Sequence, residues 1–246
     1  MLASCISAEF IKMRRAPVWA AFAALPAVSA LIGSANYVAN LDLLTPGWEN
    51  LWTQHTLFIC YFFLPALIGA GASYLWRLEH MGSNWNELMV APVPARDVFV
   101  AKLAVLALLD LVAFAAMTAF FVASGIVLHV PGAFPVASFA EQVVLGWIGS
   151  LAICGIQLVV SMLVRNFAVP VGVGLGGGIL GIMAAMGGLG YVFPYALMQS
   201  GMNSNALVVL DAPHIAQIAV LSVVYVACSV AFASAWLRTR DVVAAK

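Results

Sequence analysis

Charged residues are scarce in this sequence. Only 8% of its 246 residues are Asp, Glu, Lys or Arg, against about a quarter in an average soluble chain. Hydrophobic residues make up 64%. So few charges cannot cover so much apolar surface in water, which excludes an ordinary soluble globular domain. The ten basic residues balance the ten acidic ones, and zero net charge argues against a nucleic-acid partner.

The sequence also lacks the motifs of a site that carries out chemistry by itself. It has no GxxxxGK[ST] phosphate-binding loop, and its glycine-rich run at 172–181 is not followed by Lys. The four cysteines are scattered without a CxxC pair, and the histidines have no metal-ligand spacing. No paired-carboxylate site, catalytic triad or HExxH motif is present. We predict that the chain is not an enzyme and holds no metal or cofactor of its own.

Long apolar runs are what the sequence does have. A membrane-spanning helix needs about 20 mostly apolar residues. The sequence predicts a single all-α transmembrane domain, 1–246, with six spans at 18–38, 55–76, 98–128, 143–164, 167–190 and 214–237. The first run follows three basic residues, as a signal peptide would, but it continues to about Asn40 and is longer than a signal core. We therefore expect a retained first span.

Basic residues are missing from every second connection between these spans. The connections at 39–54, 129–142 and 191–213 contain no Lys or Arg. All ten basic residues lie in the remaining segments or, for Lys102, at the start of the span that borders one: Lys12, Arg14, Arg15, Arg77, Arg96, Lys102, Arg165, Arg238, Arg240 and Lys246. Cytoplasmic loops carry the excess of Lys and Arg, so both termini are predicted to be cytoplasmic.

Two segments on the predicted cytoplasmic side are amphipathic. In 1–16, apolar residues from Leu2 to Met13 recur at helical spacing, while Glu9, Lys12 and Arg15 occupy another face. Such an interfacial helix lies in the membrane surface with its cations near anionic headgroups. The alternative is a frayed basic start that only sets the topology.

The second amphipathic segment is 77–98. Apolar residues from Leu78 to Met89 share one helical face, and two prolines stop the helix near Val90. An exposed stripe of Leu, Met and Trp needs a cover, either the bilayer surface or a groove of another protein.

Both segments resemble motifs of one family, the small ABC-2 type permeases of bacterial peptide-antibiotic export and self-immunity systems. The start reads S-x-E-F-x-K-x-R-R, from Ser7 to Arg15. The loop has Glu79, then W-x-x-L-x-x-x-P-V from Trp85 to Val93, followed by Arg96 and Lys102. The length and six-span plan are also similar, and lantibiotic-immunity permeases are the nearest group.

The resemblance implies a set of partners. Residues 77–90 would be a coupling helix in a cleft of an ABC ATP-binding subunit, with four docking residues: Glu79, Trp85, Glu87 and Leu88. Two such subunits would bind ATP and Mg and pair with two permease chains, identical or paralogous. The resemblance also implies two short re-entrant helices within the outer segment 191–213, with Pro194, Gly201 and Pro213 as breakers.

Polar residues inside the predicted spans are few. Asp110 is an intramembrane acid and therefore a functional suspect. It either pairs with Arg165 or a backbone group, or it serves a proton-coupled carrier. Gln157 and Ser161 lie four residues apart, so they share a helix face and suit hydrogen bonds between helices.

The fifth predicted span contains overlapping GxxxG pairs, which allow helices to approach closely. We expect them to form a tight interface within the chain or across a dimer, or simply to make a closely packed internal helix. The predicted helix-packing residues are Gly172, Gly176, Gly177 and Gly181.

The favoured function is that of a transmembrane permease subunit of an ATP-driven exporter in the bacterial cytoplasmic membrane. Its substrate would be hydrophobic or amphipathic, such as a peptide antibiotic, a drug or a lipid. One alternative is a proton-coupled secondary transporter, which would use Asp110. The other is a non-transporting membrane scaffold.

Overall fold

The regular structure of the chain is helical throughout the residues described by the computed structural model, which are 1–81, 85 and 92–239. The helices are α1 (Leu2–Met13), α2 (Val18–Ala39), α3 (Trp48–Phe58), α4 (Leu64–Trp76), α5 (Ala95–Val127), α6 (Val136–Leu163), α7 (Ala168–Met186), α8 (Pro194–Gly201) and α9 (Ala212–Thr239). A π-helical segment, Ile59–Phe63, joins α3 and α4 into one helix. In this part of the chain six helices are long and apolar enough to cross a membrane, which confirms the predicted all-α plan.

Four of the spanning helices begin before the predicted spans, and the earliest relative starts are at Trp48, against residue 55, and at Val136, against residue 143. The second spanning helix starts at Trp48, not near residue 55, directly after Gly47. Its polar first turns are stable because their side chains find partners: the Thr53 hydroxyl donates to the Asn50 carbonyl at 2.8 Å. Hydropathy detects only the apolar part of a spanning helix. The third spanning helix likewise starts at Ala95, after Pro94.

The π-helical segment has a local cause. Pro65 has no N–H, so the carbonyl of Tyr61 loses the donor that would follow one turn later. That region is also where α7 approaches most closely, because a Cβ added to Gly178 would overlap the Tyr61 carbonyl oxygen. Helix α7 therefore packs backbone to backbone against the π segment and the start of α4.

The short helix α8 is enclosed by α6, α7 and α9. It starts at Pro194 and ends at Gly201, two of the expected breakers. It crosses α6 so closely that a Cβ on Gly149 would lie 2.6 Å from the Met198 amide nitrogen. Only one helix forms in 191–211 instead of the expected pair, and the chain from 202 to 211 has turns and then no regular secondary structure until α9 starts.

The spanning helices differ in how much of their surface the chain itself covers. In the most apolar stretches of α3–α4, α5 and α6, 56% of residues are buried, against 28% for α7 and 17% for α9. The outward residues of α7 and α9 are mainly Val, Leu, Ile and Met. Such a surface suits lipid and not water. The helices α3–α4, α5 and α6 therefore form the centre of the bundle, and α7 and α9 lie at its edge.

Candidate functional site: a buried ionic cluster

Lys102, a residue of α5, lies inside the bundle with its side chain fully buried. Its ammonium donates to the Leu75 carbonyl at 2.7 Å, to Glu79 Oε1 at 2.9 Å and to both carboxylate oxygens of Glu9 at 3.1 Å. It also lies 4.7 Å from the centre of the Trp76 ring, which adds a cation–π contact. The partners of this one cation come from α1, from α4 and from the segment after α4.

Lys12 completes the group that we name the ionic cluster: Glu9, Lys12, Glu79 and Lys102. The Lys12 ammonium donates to Glu79 Oε1 at 2.7 Å and to Glu9 Oε1 at 2.8 Å. Glu9 and Lys12 share a face of α1 because they are three residues apart. Side-chain exposure is 32% for Lys12 but 6% and 4% for the two carboxylates. Two positive and two negative charges cancel, which allows the three buried groups and the partly exposed Lys12 to stay ionised together.

The cluster stabilises the charged forms of Glu79 and Lys12. Burial by itself raises the pKa of Glu79, but the charges of Lys102 and Lys12 outweigh burial and hold that pKa below its usual value. Burial likewise opposes the charge of Lys12, yet hydrogen bonds to Glu79 and Glu9 raise its pKa. A lowered carboxyl pKa adds stability that is complete above the ordinary pKa and is lost as pH falls through the lowered one. The contribution of Glu79 is therefore intact at neutral pH.

An aromatic pair continues the cluster towards α6. The Trp85 ring stacks on the Trp76 ring with centroids 5.3 Å apart and planes 16° apart. The Trp85 indole N–H donates to His80 Nδ1 at 3.2 Å, and His80 Nε2 lies 2.7 Å from the Ser161 carbonyl oxygen. Because a carbonyl only accepts, Nε2 carries the hydrogen and Nδ1 is free to accept from Trp85. Trp85 is thereby fixed to the ends of both α4 and α6.

The local sequence explains why these groups meet. Helix α4 ends at Trp76, and the His80 amide donates to the Trp76 carbonyl at 3.1 Å, so Glu79 follows in a tight turn. Helix α5 starts just after Pro94, which places Lys102 two turns inside it and level with that turn. A displacement of the segment after α4 must therefore move Glu79 and Trp85, and with them contacts to α1, α5 and α6.

The structure turns two of the expected docking residues inward. Glu79 is 3% exposed and Trp85 2% exposed, whereas Leu78 and Met81 beside them are 44% and 53% exposed. Glu87 and Leu88, and most of the expected coupling helix at 77–90, lie outside the described residues. The docking role of the four residues stays a prediction, and Met81 is an exposed apolar residue among those that the structure describes in this segment.

Helix α1 requires a correction. The helical pattern placed Glu9 on an outward polar face, yet Glu9 is 5% exposed and faces Lys102, while the apolar Ile11 is 71% exposed. The ion pairs with Lys102 and Lys12 outweigh the hydrophobic pattern of so short a helix. A lysine two turns inside an apolar span was the signal, because it needs a buried anion.

Asp110 lies fully buried in α5, where Ser150 of α6 donates to its Oδ2. Within the described residues its Oδ1 has no hydrogen-bond partner. The expected ion pair with Arg165 is not found; the partner is a hydroxyl group, which sequence reasoning did not single out. The Ser150 hydroxyl also lies 2.6 Å from the Trp147 carbonyl oxygen.

Replacing Asp110 with asparagine tests whether this acid is structural. We expect Asp110→Asn to keep wild-type assembly and the transport activity that the family resemblance implies, because its amide oxygen still accepts from Ser150. The measurement is transport by proteoliposomes that contain the complete transporter, with and without an imposed pH gradient. Asp110→Leu is the matched variant that removes the acceptor. Normal assembly of Asp110→Asn with loss of transport would contradict the structural role and favour proton coupling.

The other two polar residues predicted inside the spans have different surroundings. The Gln157 amide donates to the Tyr195 hydroxyl of α8 at 2.9 Å, and both side chains are buried. The Ser161 hydroxyl has no partner among the described residues, but its carbonyl accepts from His80. Gln157 thus links α6 to α8, whereas Ser161 acts through its backbone.

The predicted packing glycines fall into two pairs. Gly177 and Gly181 lie against the Tyr195 and Gln199 side chains of α8, so they accommodate that helix. Gly172 and Gly176 have nothing within 4 Å of an added Cβ, so they do not form a close contact within the described chain. The tightest backbone contacts of α7 are made by Gly174 and Gly178, which form another of the overlapping GxxxG pairs of this span. GxxxG spacing identifies a close-packing helix but not the face that packs.

No group of three His, Cys, Asp or Glu side chains that could hold a metal ion occurs among the residues described by the structure. The ionic cluster contains two carboxylates, but two ammonium groups already occupy them.

Comparison with known proteins yields one family. The family described as ABC-2 family transporter protein matches residues 5–181, well over half of the chain, including the ionic cluster, the first four spanning helices and most of the fifth. No curated protein and no solved structure matches. The chain therefore belongs to the ABC-2 transporter family and is a multi-pass membrane permease subunit of an ABC transporter, which is not itself an ATPase.

Proposed function

We propose that this permease subunit works in an ATP-driven exporter that moves a hydrophobic or amphipathic substrate out of the cytoplasm or the membrane. The observation that carries the proposal is the ionic cluster, since it fastens the segment after α4 to three helices. Within the family, the resemblance of both amphipathic segments favours the peptide-antibiotic immunity group, and hence the bacterial cytoplasmic membrane. A drug or lipid substrate would fit the same apolar helices.

Members of this family normally work with an ATP-binding subunit. In our proposal two such subunits bind ATP and Mg, and each docks against the segment 77–90 of one permease chain. With both termini cytoplasmic, as the basic residues favour, this segment and the ionic cluster face the ATP-binding subunits. A second permease chain, identical or paralogous, completes the transporter and is supported by the largely uncovered surfaces of α7 and α9.

Movement of the ATP-binding subunits would pass through the cluster. When ATP binding draws the subunits together, the docked segment shifts, and Glu79 and Trp85 shift with it. Glu79 pulls on Lys102 of α5 and on Lys12 of α1, while Trp85 acts on α4 and α6 through Trp76 and His80. Short, charge-assisted hydrogen bonds tolerate little change in the distance between their atoms, so the helices that they join move together.

Trp85 and Met81 allow a test of docking. We expect Met81→Asp to reduce the amount of ATP-binding subunit that co-purifies with the permease by about tenfold, because it places a charge on an exposed apolar contact. Trp85→Asp should reduce it to a similar extent by releasing the segment from Trp76, whereas Trp85→Phe should retain most of it. The measurement is the ratio of the two subunits after affinity purification.

The matched control is Leu43→Asp, a change at an exposed leucine in the connection between α2 and α3. It should leave the subunit ratio unchanged. Undiminished recovery of the ATP-binding subunit with Met81→Asp and Trp85→Asp, at normal membrane insertion, would remove the docking proposal.

A proton-coupled secondary transporter is the second candidate. It is favoured by one observation, which is that Oδ1 of buried Asp110 has no hydrogen-bond partner among the described residues. It would predict loss of transport in Asp110→Asn and unchanged transport in Met81→Asp, which is the opposite of the result expected for an ATP-driven exporter.

A further inference from the structure

An aromatic cavity lies at the end of the bundle remote from the ionic cluster. Lys102 and Phe121 both belong to α5, and at about 1.5 Å per residue they are separated by about 28 Å of helix, close to the thickness of the hydrocarbon layer. Phe121 lines a cavity of about 180 Å³ between the start of α3, the end of α5, the start of α6 and the chain that follows α8. The cavity and the cluster therefore lie at opposite ends of the same helix.

Aromatic rings line much of the cavity. The Trp52 ring lies edge-on to Phe121 and Phe139 with centroids 5.0 Å and 4.9 Å away, and those two phenyl rings stack at 5.0 Å. Trp48 lies edge-on to Phe121 at 5.8 Å. Both indole N–H groups are already used: Trp52 donates to the Met202 carbonyl at 2.8 Å and Trp48 to the Gly132 carbonyl at 3.3 Å. The rings thus offer the cavity no donor for an anion.

All formal charge at the cavity is negative. Its ionisable lining residues are Glu49 and Glu141, both exposed, and neither forms an ion pair within the described residues. The sequence contains no Lys or Arg between residues 16 and 76, or between 103 and 164, or between 166 and 237. These ranges include every residue that lines the cavity, so no lysine or arginine of the lining competes for the two carboxylates.

One wall of the cavity is an apolar loop. The Asn203 side chain holds it, because its amide donates to the Val208 carbonyl at 2.8 Å. Beyond this clamp, Leu207, Val208 and Val209 are 59%, 56% and 95% exposed. Aromatic faces and carboxylates suit a cation, and the adjacent apolar loop suits a hydrocarbon chain attached to it.

We propose that this cavity binds an amphipathic organic cation, an ammonium or guanidinium group that carries an apolar chain. The cationic group lies among the rings of Trp48, Trp52 and Phe139, with Glu49 and Glu141 at the rim neutralising its charge. The apolar chain lies along the loop 207–210. The site is independent of ATPase docking, so it stands or falls separately from the proposed export function.

The test uses decyltrimethylammonium as the probe. It is titrated into the full chain in phosphatidylglycerol nanodiscs by isothermal titration calorimetry, with empty nanodiscs subtracted. We expect saturable binding of this cation and none of decyl sulfate or decyl maltoside, which carry the same chain. The double variant Glu49→Gln/Glu141→Gln should bind about tenfold more weakly, whereas Asp42→Asn, which removes an exposed acid that does not line the cavity, should bind like wild type.

Both exposed glutamates can change without loss of buried contacts, so the double variant is expected to fold. Equal affinity of the double variant and the wild type would overturn the proposal, and so would equal binding of decyl sulfate. Repeating the titration in phosphatidylcholine nanodiscs distinguishes a free ligand from a lipid headgroup. Unchanged affinity of the probe in phosphatidylcholine supports a free cation as the ligand. Weaker binding of the probe there supports competition by the trimethylammonium headgroup of the lipid, which has the same ammonium chemistry.

Discussion

Replacement of Lys102 by methionine is expected to destabilise the folded chain by about 3–5 kcal/mol, because it leaves two buried carboxylates without their main counter-ion. Glu9 would then have Lys12 as its remaining cationic partner in the cluster, and Lys12 is already shared with Glu79. Methionine fills a similar volume, so the loss reports charge and hydrogen bonds more than packing. The measurement is the denaturant midpoint of the purified chain, followed by tryptophan fluorescence.

A triple variant distinguishes the electrostatic effect of Lys102→Met on stability from its effect on packing. Adding Glu9→Gln and Glu79→Gln to Lys102→Met removes both stranded carboxylates, and we expect most of the lost stability to return. Arg14→Ala is the matched control, since Arg14 is an exposed cation next to the end of α1, and it should change stability little. A triple variant as unstable as Lys102→Met would show that the ionic cluster is not what the lysine stabilises.

In the triple variant we expect stability to recover while the coupling of ATP hydrolysis to transport stays impaired. With neutral side chains the segment after α4 still packs through Trp85 and Trp76, yet it no longer has ion pairs to α1 and α5. We expect such a transporter to assemble and hydrolyse ATP with weakened coupling to transport. Wild-type coupling in the triple variant would assign transmission to the aromatic pair alone.

The ionic cluster shows how far sequence alone can reach. Six spans follow from apolar length, because lipid leaves a spanning segment few alternatives to a helix. The positions of Lys102 and Glu79 were also visible as charges near apolar runs. Their pairing was not, since it depends on how α1 turns against α5, and helical periodicity placed Glu9 on the outward face. A contact between residues 93 positions apart requires the three-dimensional packing.

The aromatic cavity escaped sequence reasoning for the same kind of cause. Its rings come from three separate helices, with Trp52, Phe121 and Phe139 far apart in the chain. Hydropathy also started the second span near residue 55, so it assigned Trp48 and Trp52 to a connecting loop. Only when α3 is seen to begin at Trp48 do these rings and Glu49 share the end of the bundle.

Two glycines of α7 should respond to the same substitution with opposite signs. Gly178→Ala puts a Cβ onto the Tyr61 carbonyl oxygen, a backbone atom that cannot move aside like a side chain. We expect destabilisation at the upper end of about 1–3 kcal/mol, the range for overpacked sites, and a lowered denaturant midpoint. Gly172→Ala meets open space, so the better helix propensity of alanine should stabilise the chain by up to about 1 kcal/mol.

The pair of variants also probes what covers α7 in the membrane. Both positions lie on the same helix and receive the same methyl group, so lipid, insertion and propensity effects cancel in the comparison. If Gly178→Ala were harmless, the close contact of α7 with the π-helical segment would be wrong. If Gly172→Ala lowered the midpoint of the assembled transporter but not of the isolated chain, the open face of α7 would be occupied by a second chain, which is what a paired permease requires.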